Sequence, residues 1–218
     1  KPSEEEVKAR AAAEAAASLA PVLEALAARD KSVHLSFAGS STLAKQIEAM
    51  GFPVYYSDDQ AKKVSDKNPF VREELISLLG PLVYQNNSLN REYLRKQLFS
   101  NDELRQKVNA IIHPIVRADF SNWAKKHENI DLVFNEAAIL FETHTYKNFD
   151  AVILVYAPEE LKIERLMKRD HSTLAEIKAK IKSQWSDAKK KTLTRHHILN
   201  DGKTSIENQL NSILQRLL

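Results

Sequence analysis

The chain has 218 residues, 43% hydrophobic and 28% charged, with a net charge of +3 and no cysteine. That is material for one sizeable core, alone or with an appendage, and it excludes disulfides, thiolate zinc sites and cysteine nucleophiles. The mild positive balance suits a small anionic ligand, but no Lys/Arg-rich run with interleaved aromatics points to nucleic acid, and no run approaches the ~18 apolar residues of a membrane span.

The opening KPSEEEVKAR is not patterned as a secretory leader, so a cytoplasmic protein is expected, and a monomer is expected because nothing supports dimerisation through the N-terminal helix. Residues 3–29 are rich in Ala and Glu, with Ser3 as N-cap and acids in the first turn, and predict one long helix containing Pro21. Val7, Leu19, Val22, Leu23 and Leu26 supply it with apolar positions to lay on a sheet flank or a partner helix. The composition shifts sharply after Asp30, so residues 1–31 read as an appended helix. A strand over 32–37 then runs through a small-residue turn into a helix over 40–50, closed by Gly51. A strand over 52–56 leads to helices over 58–66, 70–79, 90–99 and 101–126, so 58–127 reads as an all-helical subdomain. Strands over 130–137, 151–157 and 196–200 follow, with helices over 158–169, 172–184 and 204–217. Runs such as Val152 to Val155 are apolar on both faces, which fits strands of a parallel sheet covered on both sides. The expected fold is therefore α/β: a doubly wound, three-layer, five-stranded parallel sheet over 32–57 and 128–218, with the helical subdomain inserted.

Ligands of such folds sit beyond the carboxyl ends of the strands. Asp58 and Asp59 follow the second strand; one could serve as general base or hold magnesium through water, or simply cap the next helix. Arg165 and Arg169, at i and i+4, share a helix face and could meet a phosphate, or with Lys168 form a solvated basic face. His113 precedes Pro114, with Arg117 a turn later, and His-Pro at a helix kink is commonly structural. Glu136 ends the third strand, where a carboxylate is costly unless paired or lining a pocket. His34, His144, His171, His196 and His197 form no defensible metal spacing with nearby acids, so no metal site is expected.

The segments GFPVYYSDDQAKK, SLNREYLRKQLFSNDELRQKVNAIIHPIVR, LVFNEAAILFE, APEELKIERLMKRD and ILNDG, in that order, resemble dephospho-coenzyme A kinase from about Ala49 to Leu218. The resemblance implies a P-loop kinase that uses ATP and magnesium to phosphorylate the 3′-hydroxyl of dephospho-coenzyme A, with a helical subdomain holding the acceptor. It implies that Asp58 is the general base, that Arg165 contacts the transferring phosphate with Arg169 at the end of the same helix, and that His113 and Arg117 belong to the acceptor site. Asn200 and Gly202 match the adenine-side loop. Tyr56 stands where the family has a further acid, and His144 where Gly is expected.

The first motif departs most. Such kinases carry G-x-x-x-x-G-K-[ST] after the first strand, whose N–H groups wrap the phosphates and whose Lys reaches the β/γ oxygens. Here AGS joins strand to helix, Ser40 stands in place of the Lys, and Lys45 lies a turn too far inside the helix. The stretch Ala15 to Ala49 instead resembles the start of a periplasmic molybdate-binding protein, with Ser18 and Ser40 at that family's oxyanion positions, although that family's first strand is absent. Together the two resemblances imply an engineered chimera in which Gly39, Ser40, Ser41 and Thr42 offer a helix N-terminus to one tetrahedral oxyanion, with kinase activity lost or very weak and no cofactor assigned with certainty. The competing readings are an active kinase with an atypical loop and a module that binds molybdate, sulfate or phosphate. A serine hydrolase built on Ser40 lacks the second Gly of the nucleophile elbow.

Overall fold

The structure, a computed structural model, describes residues 3–27, 32–38, 41–99, 101–170 and 173–217. Contacts divide the chain into one unit of Lys1–Val54 with Asn129–Leu218 and a second of Tyr55–Glu128. Helix α1 (Glu4–Ala27) opens on a reciprocal cap: the Glu6 N–H donates to Ser3 Oγ at 3.2 Å and the Ser3 N–H to Glu6 Oε2 at 2.7 Å. Its Leu19, Val22 and Leu26 are buried, whereas Leu23 is 51% exposed and drops out of the expected stripe; the side chain of Val7 lies outside the description. β1 (Val33–Ala38), α2 (Ser41–Ala49) and β2 (Val54–Tyr56) follow. Gly51, with φ of +90°, ends the α2 segment in a conformation that favours glycine.

The second unit holds α3 (Ser57–Lys67), α4 (Pro69–Leu79), a short 3-10 turn at Pro81–Val83, β3 (Tyr84–Gln85), β4 (Ser88–Leu89), α5 (Arg91–Leu98) and α6 (Asp102–Lys126). Asn68 starts α4 by accepting from the Val71 N–H at 3.1 Å, with Pro69 in the first turn, where its missing N–H costs nothing. Val71, Leu75, Val83, Tyr84, Leu89 and Val108 form the core of this unit. The expectation of helices alone over 58–127 is corrected by the β3–β4 ribbon. Asn86 and Asn87 both take positive φ, +50° and +63°, as the tight two-residue hairpin turn requires, and Asn tolerates this better than most residues.

The first unit resumes with β5 (Leu132–Glu136), a 3-10 turn at Thr145–Asn148, β6 (Ala151–Tyr156), α7 (Glu159–Asp170), α8 (Leu174–Lys182), α9 (Asp187–Lys191), β7 (His196–Leu199) and α10 (Ile206–Leu217). The expected helix over 172–184 is shorter, and α9 and the 3-10 turn are additional elements. The five strands form a doubly wound parallel sheet in the order β2-β5-β1-β6-β7. Its centre is dry: Leu35, Phe37, Phe134 and Ile153 have no exposure. One buried polar pair sits in it, where Ser36 Oγ donates to the Asn135 carbonyl and accepts from Asn135 Nδ2, both at 3.0 Å. These residues are partners in the β1–β5 ladder, so a slipped register would strand both polar groups. α1 packs on α10. Among the described residues no helix is long and apolar enough to cross a membrane.

His144 adopts φ of +57° and ψ of +13°. That left-handed conformation gives a physical reason for glycine at the position, since a side chain there is strained by about 1–2 kcal/mol. The ring packs against Trp185 with centroids 5.4 Å apart.

Candidate functional site

Parallel pairing brings the carboxyl ends of β1, β5, β6 and β7, at Ala38, Glu136, Tyr156 and Leu199, to one edge. At the first of these ends, β1 stops at Ala38 and α2 begins at Ser41. Gly39 and Ser40, two of the expected oxyanion residues, lie outside the described residues. The three chain steps from Ala38 to Ser41 reach at most ~11 Å when fully extended. Ser41 and Thr42 are exposed in the first turn of α2, which contains no acid to offset its N-terminal dipole. Lys45 is exposed further along the helix.

Arg165 projects from α7 to the end of β7, where Nη1 donates to the Asn200 carbonyl at 2.9 Å. The loop that presents this carbonyl is itself braced: Asp201 Oδ1 accepts from the Lys203 and Thr204 N–H groups at 2.9 and 2.8 Å, which holds its carboxyl below the usual range. Gly202 takes φ of +78° there, and a Cβ would only touch Arg165 Nη2 at 3.4 Å, so its backbone angle rather than lack of space calls for glycine. Of the other cations on α7, Lys168 pairs with Glu164 at 2.6 Å and Arg169 is exposed. Glu136 is half-buried at the end of β5, opposite Phe37.

The second unit carries the acceptor-side candidates. Asp58 and Asp59 lie in the first turn of α3, whose N-cap is Tyr56, with no side-chain cap bond, so neither acid is the cap. Asp59 is spent on Lys62 at 2.8 Å, both well exposed, whereas Asp58 is half-buried. His113 is half-buried on α6 and Arg117 exposed a turn later. Burial, and then the Arg117 charge, hold the His113 imidazole below its ordinary value, so it is neutral at pH 7. The sign of the linkage follows. The unfolded chain, with an imidazole near ~6.5, takes up this proton first as pH falls, so the stability tied to neutral His113 is full above that value and lost below it. Urea midpoints at pH 7.5 and 5.5 should therefore fall less in His113→Gln than in the parent chain; equal falls would remove His113 from the account. His196 contributes in the same direction, through burial and the charges of Arg195, Arg216 and His197.

The geometry thus joins Arg165 to Asn200 in the first unit, and sets Asp58, His113 and Arg117 in the second. Sequence reasoning missed a buried ion pair, Lys190 to Glu142 at 2.9 Å with side chains 6% and 14% exposed. Glu142 Oε1 also accepts from the Trp185 N–H at 2.8 Å. The flanking lysines are absorbed too, Lys189 over the Trp185 ring at 3.3 Å and Lys191 over Tyr156 at 3.5 Å. A basic run that starts four residues after Trp185 was the available signal. Among the described residues no three His, Asp or Glu side chains gather as a cation site.

A family model for dephospho-CoA kinase matches residues 37–205. The chain belongs to the dephospho-coenzyme A kinase family. It is 37% identical over 172 residues to the dephospho-CoA kinase of Bacteroides fragilis, covering 79% of this chain and 84% of that one. With the Porphyromonas gingivalis enzyme it shares 40% over 146 residues, covering 67% and 72%. Among solved structures it is similar to the Thermus thermophilus protein TT1252, with a TM-score of 0.74, 25% identity and coverage of 86% and 97%. It is also similar to the dephospho-CoA kinase of Campylobacter jejuni, with a TM-score of 0.58, 25% identity and coverage of 84% and 96%. The family match begins at Phe37, inside β1. The triphosphate cradle that the dephospho-coenzyme A kinase pattern calls for does not fit the residues present: the family's loop spans about seven positions before its hydroxyl residue, while two residues separate β1 from α2 here and no Lys is among them.

Proposed function

We propose that this chain is a dephospho-coenzyme A kinase scaffold whose phosphate-loop unit has been replaced, and that its transfer of the ATP γ-phosphate is lost or very weak. The observation that carries the reading is the two-residue passage from β1 to α2, with Ser40 in place of the lysine. Phosphoryl transfer relies on positioning and on charge stabilisation rather than on covalent help from the protein, so losing the cradle removes the dominant contribution. The other parts keep their proposed roles. Asp58 takes the proton of the acceptor hydroxyl, Arg165 and Arg169 face the transferring phosphate, and His113 and Arg117 hold the acceptor. Glu136 and Asn200 line the nucleotide edge, while Gly39, Ser40, Ser41 and Thr42 are left with one oxyanion. The origin of the replacement in a molybdate-binding protein rests on the Ala15–Ala49 resemblance. Ser18, its second oxyanion residue, lies within α1, which weakens a working molybdate site.

The second reading, an active kinase with an atypical loop, draws support from the 37% identity to the Bacteroides fragilis enzyme and from the anchored Arg165. A coupled ADP assay with ATP, magnesium and dephospho-coenzyme A separates the two. We expect turnover far below ~1 s⁻¹; rates in the ordinary kinase range of about 1–100 s⁻¹ would establish the second reading.

A further inference from the structure

The first unit carries a concave site that none of the kinase roles uses. We propose that the groove between β7 and α10 binds a small organic oxyanion, a compound presenting a carboxylate or phosphate beside hydroxyl groups. The cavity measures about 310 Å³ and is lined by His197 on the strand, by Ser205 just before the helix and by Asn208, Ser212, Ile213 and Arg216 along it. That volume lies at the small end of ligand sites. Position 205, just before the helix, and helix positions 208, 212 and 216 recur at three- and four-residue intervals, so they share one face. The face is polar along its length, while Ile206, Leu210 and Leu214 are buried.

Charge selects the ligand class. Among the described residues no acid lines the groove. Arg216 donates through Nε to the Ser212 carbonyl at 2.9 Å and makes no ion pair among the described residues. By contrast, Lys162, Lys168 and Lys190 of the same unit each meet a carboxylate. The guanidinium fork matches the planar geometry of a carboxylate or phosphate. Hydroxyl recognition follows from His197. Its Nε2 lies 2.7 Å from the Thr194 carbonyl, which can only accept, so Nε2 carries a hydrogen and Nδ1 is the ring nitrogen left to meet a ligand hydroxyl. The occupant is a small molecule rather than an added strand, because Gln209 already covers the outer edge of β7. Gln209 Oε1 accepts from the Leu199 N–H at 2.9 Å, and Nε2 donates to the Leu199 carbonyl at 3.0 Å.

The test is a ¹⁵N amide-shift titration of the whole chain with tartrate and, separately, with glycerol 2-phosphate. Neither probe involves phosphoryl transfer, so the result stands apart from the kinase reading. We expect saturable shifts grouped at residue 197 and residues 204–216. Affinity should fall at least ~10-fold, about 1.4 kcal/mol, in Arg216→Gln, with unchanged affinity in Arg105→Gln, an equal charge change in the other unit. Arg216 is exposed, and unshifted amides elsewhere verify that the variant is folded. The probe that binds more tightly identifies carboxylate or phosphate as the anionic group. No shift with either probe at ~10 mM, a concentration that would reveal even millimolar binding, or shifts that survive Arg216→Gln, overturns the proposal.

Discussion

Replacing Gly39–Ser40 with a seven-residue G-x-x-x-x-G-K loop should raise ATP-dependent phosphorylation of dephospho-coenzyme A by at least ~10³-fold. The expectation follows from what the present junction lacks. β1 delivers the chain to the carboxyl edge of the sheet at Ala38, and α2 departs from that edge at Ser41. Both ends of the junction therefore lie at this edge, and Ser41-Thr42 supplies a hydroxyl pair like the one that follows the lysine in the family pattern. The insertion adds backbone donors and one cation where charge builds on the β and γ phosphates, and such groups act with full strength in a site that excludes water. A steady-state comparison of parent and rebuilt chains checks the increase. In the rebuilt chain, Asp58→Asn should then lower kcat by about 10²–10⁴-fold, the usual scale for a general base. A rebuilt chain that binds ATP yet turns over no faster than the parent would locate the defect elsewhere.

The largest stability effect is expected at Glu142. Removing its carboxylate in Glu142→Leu leaves the Lys190 ammonium buried without its counter-charge, and takes the acceptor from the Trp185 N–H. Breaking a buried pair from one side costs about 3–5 kcal/mol, a large share of the ~5–15 kcal/mol that holds a domain together. The double variant Glu142→Leu with Lys190→Met should regain most of that loss, because the pair itself contributes little over apolar packing of similar volume. Urea unfolding of the parent, both single variants and the double variant measures the coupling. Additive losses would mean that the two side chains do not depend on each other.

The parallel core was legible because its strands are apolar on both faces, a pattern that few other elements produce. The β3–β4 ribbon was not, since strands of two residues carry no measurable period and their Asn86-Asn87 turn sits between strong helices. α9 was hidden for a related reason. Five residues make little more than one turn, and Lys189, Lys190 and Lys191 read as a solvated run until Glu142, Trp185 and Tyr156 are folded against them. The spacing of Arg165 and Arg169 drew attention to α7. What anchors Arg165 is the carbonyl of Asn200, and a backbone acceptor leaves no trace in residue type. The short passage from Ala38 to Ser41 and the absence of a lysine in it were plain from the sequence, because they are matters of chain length and residue type. The opposite holds for Asp58 and Asp59: adjacent and alike in sequence, they part in the structure, one half-buried and the other paired on the surface with Lys62.

A crystal structure of the chain grown with magnesium and a non-hydrolysable ATP analogue examines the central claim at the atoms concerned. We expect β and γ phosphates that are absent from the β1–α2 junction, or that touch it through a single phosphate at the Ser41 and Thr42 amides. A triphosphate wrapped by the backbone from Phe37 to Thr42 would contradict it.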